Sequence, residues 1–311
     1  MHKNFHIIYR LKMSRLGGRR IAVVGDINLD IIAFHREYPD EGAEDLAEKA
    51  YMRHGGSGAN IAHALSVLGG NVSIIGCVGD DPVGAMLVEG LAGAGVDTSA
   101  VQKTALEPTG IVYIVVSRSG ERTMLAYRGA NKHLMVEDVN GLLRDVSAAH
   151  ISGYSVLEGS QQETAMKMLD WCRKNGVITT LDLCIPLASK DIAFLDRVAG
   201  GLSFVFINLQ ELASIMRRNS FRSAAELASR WGATIVLKKG GDGAEIIKPG
   251  GESIKLDALD VEVVDTTGAG DAFAAGFIYE LVRGASLREC GERAVKLGGV
   301  VSTSVGGRLS L

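Results

Sequence analysis

The sequence predicts an α/β fold: a central, mostly parallel sheet flanked by helices, with a small β-lid attached. Short β-branched runs alternate with longer amphipathic stretches from Ile21 onward, the pattern of strands joined by crossover helices. Two segments, about 31–53 and 110–128, break that alternation and read as β-structure outside the main sheet. With 311 residues, 47% hydrophobic content and only 5% aromatic, the chain can bury a large aliphatic core.

Residues 1–20 carry Lys3, Arg10, Lys12, Arg15, Arg19 and Arg20 around the apolar patch Phe5 to Tyr9 and read as an N-terminal extension, open to disorder, with Met13 as an internal start. The folded domain is expected over 21–307. Its candidate strands are Ile21–Val24, Val72–Ile75, His150–Ser152, Val177–Leu181, Phe204–Ile207 and Thr234–Leu237. Apolar spacing places helices between them at about 58–68, 82–94, 137–145, 160–174, 209–217 and 222–231. The lid segments are an acid-rich stretch from Ile31 to Met52 and a strand pair joined at Arg118–Glu121, both expected as antiparallel additions. An ordinary edge hairpin would read the same way, and a lid with open strand edges offers a route to a homodimer.

Several classes fall away. A net charge of -3 opposes a nucleic-acid surface, and no apolar run is long enough to cross a membrane. Cys77, Cys172, Cys184 and Cys290 lie far apart without a CxxC pair, which opposes a zinc site or disulfide framework and fits a reducing, cytoplasmic setting.

Three glycine-bearing clusters carry the chemistry. In the run Val264 to Gly276, the small residues Gly268, Ala269 and Gly270 precede an apolar helix, with Asp271 at the junction. Uncapped helix N–H groups bind phosphate, and a carboxylate beside them is placed to take a hydroxyl proton. The plain alternative for Asp271 is a first-turn partner of the helix dipole, but a helix start without a ligand normally carries a capping side chain, which this one lacks. The second cluster is Gly55, Gly56, Ser57, Gly58, Ala59 and Asn60 at another helix entrance, where backbone can approach a ligand and Asn60 can bond its hydroxyls. The third, after the first strand, sets Asp26, Asn28 and Asp30 on one side of an extended chain, where they could grip a polyol. Asp26, Asn28, Asp30 and Glu37 have calcium-loop spacing, yet Ile31 stands where that loop needs Gly. The chain also lacks GxGxxG after the first strand and any GxxxxGK[ST], so neither a dinucleotide fingerprint nor a Walker loop is present.

With both glycine clusters in this order, and Gly76–Gly84 following the first, the chain resembles the PfkB family of ribokinase-type sugar and nucleoside kinases from about Ile21 to Gly307. The resemblance implies a ribokinase-like fold and ATP-dependent phosphoryl transfer, with Asp271 as catalytic base and Gly268, Ala269 and Gly270 as the anion hole. It implies acceptor contacts from Asn28, Asp30, Gly55, Gly56, Ser57 and Asn60, with Ser57 replacing the lysine of ribokinases themselves. Asn208 and Glu211 match the family's NxxE motif, which arranges Mg2+ through water; a first-turn charge on an ordinary helix is the alternative. Lys238, Gly240 and Gly243 match the nucleotide-side loop, with Lys238 where relatives often carry Ser or Thr. Asp265 and Thr267, with carbonyls near Ser302 to Gly306, resemble a K+ site of some members.

The implied acceptor is ribose-like, either ribose or a nucleoside, with Tyr113, Tyr127 and Tyr154 available to stack or pack. A 2-keto-3-deoxygluconate-type or sugar-phosphate kinase is the alternative, the latter requiring Arg53, Arg128 or Lys132 to point inward. A sugar- and nucleotide-binding regulator without chemistry is the reading from another class.

Overall fold

The computed structural model describes residues 19–35, 38, 40–42, 44–118, 122–217, 220–304, 306 and 308–309. The N-terminal extension up to residue 18, Glu37 and the turn at 119–121 lie outside the described residues. The strands, in chain order, are β1 (Arg20–Val24), β2 (Asn28–Phe34), β3 (Lys49–Gly55), β4 (Asn71–Gly79), β5 (Asp97–Thr104), β6 (Gly110–Val116) and β7 (Arg122–Tyr127). They continue with β8 (Val146–Ser152), β9 (Ile178–Asp182), β10 (Phe204–Asn208), β11 (Thr234–Lys238), β12 (Ala244–Ile247) and β13 (Ser253–Leu256).

Nine of these form one sheet in the order β13-β12-β11-β10-β9-β8-β1-β4-β5. Every neighbouring pair from β11 to β5 is parallel, whereas β12 and β13 run antiparallel at the edge. Parallel strands covered on both faces need apolar residues in succession, and Ile21 to Val24 are all fully buried. The core is split by the sheet: Ile21 and Val23 pack with the helices Ser57–Val67 and Ala269–Arg283, Ala22 and Val24 with the helix Gly159–Asn175. The predicted strands and helices all appear with ends shifted by a few residues, while β5, β12 and β13 add edges that the apolar runs did not signal.

The departures from alternation form a separate four-stranded sheet, β3-β2-β6-β7. Its outer pairs are antiparallel as expected, but β2 and β6 pair in parallel, Asn28 opposite Gly110 through Phe34 opposite Val116. The ends of the acid-rich stretch pair as antiparallel strands, Ile31 opposite Met52, but its middle is not strand: β2 ends at Phe34 and β3 begins at Lys49, and Asp40, Glu41, Glu44 and Asp45 between them are exposed. Charged side chains in succession leave no apolar face to bury.

A close backbone contact fixes the centre. Gly25, just beyond β1, lies against Gly58 in the first turn of the helix Ser57–Val67; a Cβ on Gly58 would sit 2.5 Å from the Gly25 Cα. The Gly58→Ala chain is expected to lose about 3 kcal/mol of stability, since backbone on both sides cannot yield as a side chain would. A chemical-denaturation midpoint equal to that of the parent would exclude this account.

Candidate active site

The carboxyl ends of the parallel strands open into two adjoining cavities, as expected for ligand sites in such sheets. The larger, about 370 Å³, is walled by Asp26 from the β1–β2 connection, by Asn28 and Asp30 of β2, by Asp182 and Lys238 at the ends of β9 and β11, and roofed by Val112, Ile114, Met124 and Ala126 of the smaller sheet. The second, about 240 Å³, is lined by Gly240, Gly241, Gly243, Ala269, Phe273 and Val295 among others. They share Lys238, Thr266 and Gly270.

At that junction begins the helix Ala269–Arg283, whose N-cap is Gly268 at φ 69 with no side-chain cap. The helix Ser57–Val67 also starts uncapped, from Gly56 at φ 90. Asp81, Asp191, Ser220 and Ser286 cap their helices, although the helices Gly159–Asn175 and Ile185–Ala188 also begin without a side-chain cap. The N-termini that follow Gly56 and Gly268 present backbone donors and positive dipole ends toward one region, where an anion or hydroxyl oxygen is stabilised.

Asp271 joins the two helices: its Oδ1 accepts from Ser57 Oγ at 2.8 Å and its Oδ2 from Asn60 Nδ2 at 2.9 Å. Burial pushes this carboxyl up to about 6, against the restraining effect of the Asn60 and Ser57 bonds. Asp30 is pushed up to about 7 by burial, to which the negative charge of Asp271 adds. Its side chain lies over Gly55, where a Cβ would come within 2.1 Å of the carboxyl group. Asn28 accepts from Asn131 Nδ2 at 2.8 Å, and Asn131 Oδ1 in turn accepts from the Ile27 amide at 2.9 Å.

Lys238 supplies positive charge at the junction. Its Nζ bonds Asp182 Oδ1 at 2.6 Å and would lie 3.5 Å from a Cβ on Gly270. Burial works against its charge, but Asp182 and Glu211 outweigh it and raise its pKa. Glu211 is pushed up to about 7 by burial, with Lys238 opposing.

Of the residues singled out in the sequence, Asn28, Asp30, Gly56, Ser57, Asn60, Glu211, Thr267, Gly268 and Asp271 line the larger cavity, Gly240, Gly243 and Ala269 the smaller, and Lys238 and Gly270 both. Gly55, Asn208 and Asp265 line neither. Asn208 serves as the N-cap of the helix Leu209–Met216: its Oδ1 accepts from the Glu211 amide and Glu211 Oε2 accepts from the Asn208 amide, each at 2.8 Å. The ordinary helix start thus accounts for Asn208, while Glu211 both closes that capping box and faces the cavity.

The inward cations required for a charged acceptor are differently engaged. Arg53 is exposed and lies 4.9 Å over the Tyr51 ring, and Lys132 pairs with Glu107 at 2.9 Å. Arg128 does line the cavity, but Asp26 holds it with two bonds of 3.0 Å. Asp26, expected as a free polyol contact, is therefore committed to Arg128 and to Gln161 Nε2 at 3.0 Å. No group of three or more His, Cys, Asp or Glu residues among the described residues is arranged to hold a metal ion.

A model of the pfkB family of carbohydrate kinases matches residues 19–311. The chain belongs to this family. This pfkB-family chain is a sugar kinase, a phosphotransferase with a hydroxyl acceptor. It is 28% identical over 290 residues to the ATP-dependent ribose-1-phosphate kinase of Halopiger xanaduensis, covering 93% of this chain and 94% of that one. Over 244 residues it is 30% identical to the 5-dehydro-2-deoxygluconokinase of Clostridium perfringens, covering 74% and 72% of the two chains. The crystal structure of the adenosine kinase from Sinorhizobium meliloti superposes with a TM-score of 0.84 at 25% identity, covering 94% of this chain and 97% of that one. No helix among the described residues is long and apolar enough to cross a membrane.

Asp182 and Arg122 of the candidate site, and Asn131 behind Asn28, escaped the sequence reading. Asp182 had a signal, since it directly follows the predicted strand Val177–Leu181 at the carboxyl end where ligands gather. Asn131 and Arg122 act through contacts more than a hundred residues along the chain and carried none.

Proposed function

We propose that the protein transfers the γ-phosphoryl group of ATP to a hydroxyl of an uncharged, ribose-like acceptor, a nucleoside or ribose. One observation carries the reading: two cavities meet at an uncapped helix N-terminus, with Asp271 on the acceptor side of the junction. In this reading ATP enters the smaller cavity, its base between Gly240–Gly243 and Val295, and its terminal phosphate reaches Gly268–Gly270. The acceptor lies in the larger cavity with its hydroxyls on Asn28, Asp30 and Asn60. Asp271 accepts the proton of the attacking hydroxyl, while the backbone amides of the glycine bend and Lys238 meet the negative charge that moves through the junction. Positioning and charge supply most of the catalysis in such a transfer, which is why a preformed bend and a fixed cation suffice.

Magnesium suits the donor set. Glu211 commits one oxygen to the Asn208 amide and lines the cavity, and Mg2+ is normally held by one or two carboxylates, water and phosphate oxygens. Glu211 would hold it through water, and the ion would neutralise charge on the triphosphate.

The cavity chemistry supports an uncharged acceptor. Asp26, Asp30, Asp182, Glu211 and Asp271 face it, and each of its cations, Arg122, Arg128 and Lys238, already has a carboxylate partner. A phosphosugar would have to break one of these pairs. The apolar roof, Val112, Ile114, Met124 and Ala126, gives the flat face of a base something to pack against and favours a nucleoside over bare ribose. In this reading residues 21–307 act as one kinase domain and the smaller sheet is its lid.

The test is ADP release with Mg2+, ATP and a panel of nucleosides, pentoses, keto-acid sugars and sugar phosphates. Turnover with a nucleoside or ribose is expected; turnover with sugar phosphates alone would refute the uncharged acceptor, and none at all the kinase reading. With the preferred acceptor, kcat/KM should fall as pH drops below about 6, because Asp271 must be ionised to take the proton. A flat profile across that range would remove Asp271 as base.

A further inference from the structure

The lid does more than roof the acceptor cavity. Arg122, the first residue of β7, crosses to the loop that precedes the uncapped helix: its Nη1 donates to Asp265 Oδ1 at 3.3 Å and to Thr267 Oγ1 at 2.6 Å, and its Nη2 bonds Thr266 Oγ1. The ion pair is largely buried, with side-chain exposures of 23% for Arg122 and 10% for Asp265. Both oxygens of Asp265 are already engaged. Its Oδ1 also accepts from the Thr267 amide at 2.9 Å and the Thr267 hydroxyl at 2.7 Å, and its Oδ2 accepts from the Gly306 amide at 2.9 Å. The Ser302 carbonyl, another expected potassium ligand, accepts from the amides of Val264 and Asp265 at 2.8 and 3.1 Å.

A monovalent cation placed here would meet a guanidinium bonded to the same carboxylate and the same threonine. Two unit positive charges sharing the same ligands repel strongly even at the effective dielectric of a protein surface. The donor set therefore does not fit potassium while Arg122 is in place.

We infer that Arg122 stands in for the monovalent cation: a lid side chain, rather than potassium, supplies the positive charge that sets the Asp265–Thr267 loop beneath the anion-binding bend. Arg122 is then a positioning residue, acting on transfer through Asp265, Thr266 and Thr267. It rests on the proposed kinase activity only for its turnover arm. The guanidinium has a practical advantage over an ion, because its fork bonds three side chains at fixed angles and is never lost to dilution. It also makes the loop geometry depend on the smaller sheet being seated.

The experiment compares wild type, Arg122→Ala and Arg122→Lys in matched concentrations of potassium, sodium and tetramethylammonium chloride, with thermal melting of the nucleotide-free protein and initial rates both measured. For wild type, melting temperature and kcat should be the same in all three salts. In tetramethylammonium, Arg122→Ala should lose roughly tenfold or more in kcat with a smaller change in acceptor KM. Potassium should raise both its melting temperature and its kcat, and Arg122→Lys should lie between the two proteins and respond less to potassium. A wild-type protein that melts higher, or turns over several times faster, in potassium than in tetramethylammonium would overturn the inference. An Arg122→Ala protein indifferent to potassium would overturn it too. Because melting needs neither ATP nor acceptor, an inactive preparation would count against the kinase reading while the salt comparison still decides the role of Arg122.

Discussion

Replacing Asp271 by Asn should lower kcat by roughly a hundredfold to ten-thousandfold, the usual contribution of a positioned general base. The amide has the shape of the carboxylate, and its single oxygen can still accept from Asn60 while its NH2 donates to the Ser57 hydroxyl, so the helix junction those bonds create is retained in part. What disappears is the ability to take up a proton. Nucleotide affinity should change little, because the smaller cavity is lined by other residues. Single-turnover rates with ATP and the preferred acceptor, alongside ADP binding measured by calorimetry, separate the two effects. A variant that turns over within a few-fold of wild type would return Asp271 to the role of an ordinary first-turn carboxylate.

Lys238→Met should affect folding and chemistry together. The side chain that replaces it fills similar space but leaves Asp182 and Glu211 buried without their cation, and removing one partner of a buried pair costs about 3 kcal/mol or more. Burial already holds both carboxyls above their usual range, Glu211 at about 7, and loss of the ammonium would push them further up. A carboxyl with a folded pKa above its unfolded one binds more protons in the fold, so stability declines as pH rises between the two values. The deficit of Lys238→Met should therefore be small near about pH 5 and large near about pH 8. Adding Asp182→Asn should restore much of the melting temperature at the higher pH and none of the turnover. If Lys238→Met melted like wild type at both pH values, the ion pair would not be the organising interaction of the junction.

Much of this site was legible because its chemistry is concentrated in short local patterns. A glycine bend before a helix is written in consecutive residues, and Gly268, Gly270 and Asp271 could be read as one unit. The same holds for Gly56, Ser57 and Asn60. What stayed hidden was pairing across the fold. Nothing near Asp26 announces that Arg128 will occupy both of its oxygens, and nothing in β7 announces that Arg122 will reach Asp265. Asn208 shows the opposite limit: a motif position whose side chain the local helix start already employs. The edge strands β12 and β13 were missed for a related reason, being only four residues each, with Gly243 and Gly250 breaking any longer apolar run.

The parallel pairing of β2 with β6 has a consequence for how the molecule assembles. Antiparallel neighbours can be closed by a tight turn, but parallel ones need a crossover, and here that crossover is the entire stretch between Phe34 and Gly110, including β4 and two helices. The roof is thus not a self-sufficient module. Its two ribbons come into register only after β4 and β5 of the main sheet have carried the chain back, so their transplantation to a foreign scaffold would yield separate hairpins with no shared seam.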